Sequence, residues 1–223
     1  MAGKTEKINI NEIVNDFIQK NRKVMIICLS GIITVVIVLV AVFMIRDHLQ
    51  SQALSKVAEL NRRYEAIKPN INLESADLNT FLEELNQFAT KNSGYAAARA
   101  YAISAGIYEE LKNWTEAEKA WLGAAKAGAK TYFAPVAFFN AAVAAEEQGN
   151  FNRAIELLNE SLGYEKVFPA APRAQFSIAR LQETQGDRAA ALMSYMALVS
   201  KWPQDQIWVN LAHSRILSLT MER

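Results

Sequence analysis

The chain matches itself at a spacing of 37 residues, and that period limits what it can fold into. Ala117, Ala154 and Ala191 are 37 apart, as are Asn113, Asn150 and Asp187, and Ala105, Ala142 and Ala179. Gly149 and Gly186 recur at the same offset, and so do Pro135 and Pro172. A fixed period of this size marks a stacked helical repeat, in which one unit cannot bury its own apolar face and neighbours bury it together. Such arrays bind protein or peptide far more often than they catalyse, so recognition or scaffolding is the expected destination.

Each unit reads as two helices and a tight turn. The first helix carries Ala105, Ala142 or Ala179 on its packing face. Gly149-Asn150 and Gly186-Asp187 then end it, glycine supplying the left-handed conformation. The first copy has Lys112-Asn113 there, and Asn113 is expected to take that conformation. The second helix presents Ala117, Ala154 or Ala191 at the close approach, with Trp121, Leu158 and Tyr195 filling the gap one turn on. Pro135 and Pro172 open the next first helices. This pattern resembles the tetratricopeptide repeat family, whose unit is about 34 residues long with small residues at its eighth and twentieth positions. Those positions are Ala105, Ala142 and Ala179, then Ala117, Ala154 and Ala191; Pro203 matches the family's terminal proline. The longer period implies longer loops near Gly128–Ala134 and Gly163–Ala171. The family's tryptophan and tyrosine early in the first helix are mostly missing: Tyr108 fits, Ala145 and Gln182 do not.

Composition excludes several classes of function. The net charge of +1 argues against a dedicated nucleic-acid surface. One cysteine, Cys28, rules out an intrachain disulfide framework or a thiolate metal cluster. His48 and His213 are far apart, and no glycine-rich phosphate loop or nucleophile elbow occurs. Glu109-Glu110 and Glu146-Glu147 are carboxylate pairs, but on a helix such pairs form a solvated face. The chain is not expected to be an enzyme, and neither cofactor nor metal is expected.

Val24 to Ile45 is 22 residues without a charge. At the helical rise it spans about 33 Å, enough for a bilayer core. It is too long for a signal peptide, and no small-x-small cleavage site precedes Arg46. Lys20, Arg22 and Lys23 before the run predict a cytoplasmic N-terminus. Ile10, Ile13, Val14, Phe17 and Ile18 share one helical face, giving a short amphipathic helix that either rests on the membrane surface or docks on a partner. Ser30 and Thr34 are a weak hint of helix–helix contact. After the span no glycine or proline interrupts up to Lys68, so the helix is expected to run on to Pro69-Asn70. Ser75 or Asp77 caps the next helix, with Leu78, Phe81, Leu82, Leu85 and Phe88 inward; these two helices read as a degenerate first pair. Asp205 caps a last helix bearing Ile207, Leu211 and Leu217, which shields the third unit.

The expected fold is therefore all-α: a single N-terminal transmembrane helix followed by a tetratricopeptide-like solenoid of about three to four helix pairs. The divisions are a cytoplasmic segment over 1–23, the span over 24–45, a linker helix and degenerate pair over 46–94, and repeats with a capping helix over 95–223.

Two local stretches, residues 15–21 (Asn-Asp-Phe-Ile-Gln-Lys-Asn) and 92–100 (Asn-Ser-Gly-Tyr-Ala-Ala-Ala-Arg-Ala), resemble the YfgM-like family of ancillary SecYEG translocon subunits, as does the whole order of segments. That resemblance implies a bacterial inner-membrane protein with its repeats in the periplasm. Its implied partners are a SecYEG-like translocon, a PpiD-like membrane chaperone or emerging secretory proteins. The competing reading is a structural scaffold of a larger envelope assembly, such as the flagellar collar of spirochaetes. In the repeat family the concave groove is lined from the first helix of each pair. Carried over, those positions are Arg99 and Glu109; Val136, Phe139, Val143 and Glu146; and Arg173, Phe176, Arg180 and Glu183. Phe139 and Phe176, 37 apart, should point to one side; the alternative is that both are ordinary core.

Overall fold

The computed structural model describes residues 10–71 and 76–221, and the fold among them is all-α, without a strand. The helices are α1 (Ile10–Ile67), α2 (Ala76–Lys91), α3 (Gly94–Glu110), α4 (Trp114–Ala127), α5 (Phe133–Glu147), α6 (Phe151–Leu162), α7 (Ala171–Thr184), α8 (Arg188–Lys201) and α9 (Gln206–Met221). The chain divides after Gln52 into two compact units.

The first unit holds the apolar stretch of α1. Met25, Ile33 and Phe43, at its start, middle and end, are 44, 50 and 71% exposed. A helix that is apolar all round and buried against nothing is long and apolar enough to cross a membrane. The Ser30 and Thr34 hydroxyls donate within their own helix, to the Ile27 and Ser30 carbonyls at 2.9 Å each. Their hydroxyls are thus satisfied without a second helix. Of the expected amphipathic face, Val14, Phe17 and Ile18 are exposed. The side chains of Ile10, Asn11, Glu12, Ile13 and Asp16 lie outside the described residues, as do Ser75 and Arg223.

In the second unit, the last turns of α1 pair with α2, then α3 with α4, α5 with α6 and α7 with α8; α9 stands as a final half-pair. Val57, Leu60 and Tyr64 of α1 meet Leu78, Phe81 and Leu85 of α2, and Ile103 and Ile107 of α3 complete that core. The middle core joins α3 to α7 and is rich in alanine. The repeat alanines have no room for more than a methyl group: Ala105, Ala117, Ala154, Ala179 and Ala191 are fully buried, and Ala142 nearly so. Trp121, Leu158 and Tyr195 fill the space beside them and are also buried.

The turn between paired helices is the same in all three copies, and it corrects the assignment made from sequence. The left-handed residues are Lys112 (φ 55°), Gly149 (φ 73°) and Gly186 (φ 79°), so in the first copy Lys112 and not Asn113 takes that conformation. Lys112, Gly149 and Gly186 donate their backbone N–H to the carbonyls of Glu109, Glu146 and Glu183. The next N–H groups, of Asn113, Asn150 and Asp187, reach back to Tyr108, Ala145 and Gln182. This is the paired bonding of a Schellman turn. Asn113, Asn150 and Asp187 have a second duty: their side chains accept from the backbone N–H of Glu116, Arg153 and Ala190 and so cap the second helix. That capping explains why only Asn or Asp stands there.

The longer loops fall between α4 and α5 and between α6 and α7, the latter with a single 3-10 turn, Glu165–Val167. At the far end Asp205 accepts from the N–H of Trp208 and caps α9. The shielding residues of α9 are Val209, Ala212 and Leu219, helped by Trp208 and Ile216. Ile207, Leu211 and Leu217 face outward. Apolar residues surround this helix, so periodicity alone does not set its phase; the cap and the stacking of Trp208 on Phe176 do.

Candidate protein-binding groove

The first helix of each repeat ends with a glutamate on the turn before the cap: Glu109, Glu146 and Glu183. A carboxylate there faces the negative end of the helix dipole and is better held with a cation beside it. For Glu146 the cation is Arg180 of α7, whose two Nη atoms donate to both carboxylate oxygens at 2.7 and 2.6 Å. For Glu183 it is Arg215 of α9, again on both oxygens. The Tyr195 hydroxyl also donates to Glu183 at 3.1 Å. Burial and that carboxylate push the phenol up to about 12, so Tyr195 stays a neutral donor.

Glu109 is different. Its Oε1 accepts the indole N–H of Trp121 at 2.6 Å, and among the described residues no arginine or lysine bonds to it. Lys68, the nearest lysine by charge, pairs with Glu110 instead at 3.5 Å. Burial raises the Glu109 carboxyl above its ordinary value, with Glu110 adding to the effect and the Trp121 bond and Lys68 opposing it. Of the two carboxylate pairs noted in the sequence, one member each, Glu109 and Glu146, is thus turned inward and half-buried, while Glu110 and Glu147 face solvent. The solvated face expected of them is only half correct.

Glu109 lines an open groove of ≈ 430 Å³. Its walls are Trp114 from α4, Val136, Phe139, Asn140 and Val143 from α5, Phe168 and Ala170 from the loop between α6 and α7, and Arg173 from α7. Phe139 forms the floor at only 8% exposure, while Val136 and Val143 are 39 and 38% exposed. Phe168 holds the Phe139 ring from one side, centroids 6.3 Å apart, and the Arg173 guanidinium lies 4.9 Å from its centre. Such a cation–π contact fixes the guanidinium over the ring and leaves its outer edge to solvent. No carboxylate pairs with Arg173 among the described residues.

Five of the ten groove positions carried over from the sequence, Glu109, Val136, Phe139, Val143 and Arg173, therefore come together here. Phe176, Arg180 and Glu183 line a second, smaller cavity of ≈ 360 Å³ with Tyr195 and Arg215. Phe176 and Phe139 share a register but not an environment. Phe139 is buried in the middle core, whereas Phe176 is only partly buried, stacked between Tyr195 and Trp208 with centroids at 5.3 and 5.4 Å. Glu146 belongs to the ion pair with Arg180. Arg99 lies apart from both cavities and donates to Asn61 of α1 at 2.6 Å. The sequence reading missed Trp114, Asn140, Phe168, Trp121 and Arg215. The signal for part of this was present: Glu109, Glu146 and Glu183 are 37 apart, and Trp121 and Tyr195 each follow their glutamate by 12. Among the described residues no cluster of His, Cys, Asp and Glu could hold a metal ion.

Comparison with known proteins supports the repeat assignment. Residues 173–205 match the family model described as Tetratricopeptide repeat. A "TPR repeat-containing protein" of Treponema pallidum (strain Nichols) is 28% identical over 225 residues, covering 93% of each chain. Among solved structures, the MamA protein superposes with a TM-score of 0.50 at 20% identity, over 66% of this chain and 74% of that one. The nearly identical TPR-like repeats of a kinesin light chain-type protein of Podosopora anserina superpose with a TM-score of 0.55 at 14% identity, over 76 and 89%. These last two likenesses concern the fold alone. Residues 173–205 thus match one tetratricopeptide repeat, and the helix pairs of this chain have the fold of tetratricopeptide-like arrays.

Proposed function

We propose that this chain is a membrane-anchored module that holds a polypeptide partner in the groove between Glu109 and Arg173. The observation that carries the reading is the groove itself: Val136 and Val143, each more than a third exposed, lie over the buried Phe139 ring in a lining that also holds Glu109 and Arg173. Open apolar surface rimmed by charge is the anatomy of a peptide-binding site. In this reading Val24–Ile45 crosses a bacterial inner membrane, the N-terminus is cytoplasmic and the repeats are periplasmic. The resemblance of residues 15–21 and 92–100 to the YfgM-like family supports service beside a SecYEG-like translocon, with a PpiD-like chaperone or emerging secretory proteins as partners.

The test is recovery of complexes from membranes solubilised in mild detergent, with the full chain tagged. Translocon and chaperone subunits at stoichiometric yield support the reading. A single large envelope assembly without them supports the scaffold alternative. Recovery of the chain without any protein partner sinks the binding-module reading.

A further inference from the structure

The array supplies its own pattern for what belongs at Glu109. In the second and third repeats the corresponding glutamate is held on both oxygens by an arginine from the next first helix. Arg180 lies 34 residues after Glu146, and the residue 34 after Glu109 is Val143, which has no charge. The Oε1 atom of Glu109 is fixed by the Trp121 indole, and Oε2 has no protein donor among the described residues. The carboxylate therefore sits oriented and half-buried in the lining of an apolar groove, with no cation bonded to it among the described residues.

We propose that Glu109 receives a cationic side chain, arginine or lysine, from a partner polypeptide, in the place that Arg180 and Arg215 occupy at the other two repeats. This rests on the reading of the groove as a protein-binding site and names the ligand chemistry it selects. The residue beside the cation is apolar, because the surface next to Glu109 is Val143, Val136 and the Phe139 ring. The direction of the segment follows from charge. Arg173 lies over the Phe139 ring and repels a second cation there, so the basic residue is placed against Glu109 and any acidic residue against Arg173. A charged bond to a half-buried carboxylate is stronger than the same bond on an open surface.

The experiment pans a phage-displayed library of random dodecapeptides against the full chain in detergent micelles, with three proteins compared. Glu109→Gln removes the charge but keeps an acceptor for the Trp121 indole. Val143→Arg restores in cis the arginine that the other repeats possess, and Val143 is exposed enough to carry it. Tryptophan fluorescence checks that each variant is folded. The wild-type pool should be enriched about ten-fold or more in Arg or Lys adjacent to an apolar residue, roughly the discrimination of one charged bond, and both variants should lose that enrichment. A wild-type pool rich in apolar peptides but without basic preference overturns the inference and leaves the groove standing. So does a basic preference that survives in Glu109→Gln. A pool with no enrichment at all overturns the inference and the groove together.

Discussion

Lys112 offers a test in which the chain serves as its own control. It occupies the left-handed turn that Gly149 and Gly186 occupy one and two repeats later, with the same backbone hydrogen bonds. A side chain in this conformation costs about 1–2 kcal/mol through crowding of Cβ against the following carbonyl. Replacing it by glycine removes that cost but gives the unfolded chain more freedom, worth about 0.4–1 kcal/mol in the other direction. Lys112→Gly should therefore stabilise the repeats by about 0.5–1 kcal/mol, and Gly149→Lys and Gly186→Lys should destabilise by a similar amount. Packing does not confuse the comparison, because a Cβ built on Gly149 or Gly186 meets nothing within 4 Å. For an array of this size each kcal/mol moves the melting temperature by about 2–4 °C. The readout is urea unfolding followed by tryptophan fluorescence. All four tryptophans, Trp114, Trp121, Trp202 and Trp208, lie in the repeats, so the apolar part of α1 does not contribute. If Lys112→Gly destabilises, or if the three substitutions share a sign, the assignment of strain to these turns is wrong.

Ala154→Trp should cost about 1–3 kcal/mol or more, since Ala154 is fully buried where two helices touch; an unchanged unfolding midpoint would mean the repeat register is misassigned. The pH dependence of stability should change in Glu109→Gln. With its carboxyl raised, the folded chain keeps a proton that the unfolded chain has released, so stability falls as pH rises from the ordinary glutamate value through the raised one. Glu84 acts in the opposite sense: burial is outweighed by its bonds to Arg63 and Lys56, its carboxyl is lowered, and the stability it contributes is lost on acidification. The difference in slope between wild type and Glu109→Gln isolates the first effect, and identical slopes would refute it. For topology, Lys23→Cys and Lys130→Cys in a Cys28→Ser background should label oppositely with an impermeant maleimide on intact cells, Lys130→Cys alone reacting; the reverse pattern would place the repeats in the cytoplasm.

The period and the alanines were legible in the sequence because close helix contact admits almost nothing else at those positions. The turns were legible in outline, but their chemistry was assigned to the wrong residue. Asparagine has the better propensity for left-handed backbone, and its greater value as a helix cap moved the strain onto Lys112. The groove was half legible. Carrying family positions along the chain found Glu109, Val136, Phe139, Val143 and Arg173, yet it could not tell Phe139 from Phe176. That distinction depends on what packs on each ring from further along the chain: Phe168 and Arg173 on Phe139, and on Phe176 the Trp208 of α9, 32 residues beyond it. The phase of α9 was likewise hidden, because a helix with apolar residues on every side carries no periodic signal.

Alanine packed on alanine makes an almost featureless surface between neighbouring helix pairs. It sets how near they lie but leaves them free to slide or swivel. The outer rims carry the directional contacts. The Thr115 hydroxyl donates to Gln148 at 3.0 Å, and one repeat later the Gln185 amide donates to Asn152 at 2.7 Å across the same two positions. Arg153 reaches Glu118 at 3.1 Å on the second helices, and Arg180 reaches Glu146 on the first. Each is worth little as stability on a wetted surface. Together they act as detents that fix each step along a smooth rail. The pitch of this superhelix is thus set by a few rim residues that a survey of the core would overlook, and a chain with the same alanines and a different rim would coil to a different pitch.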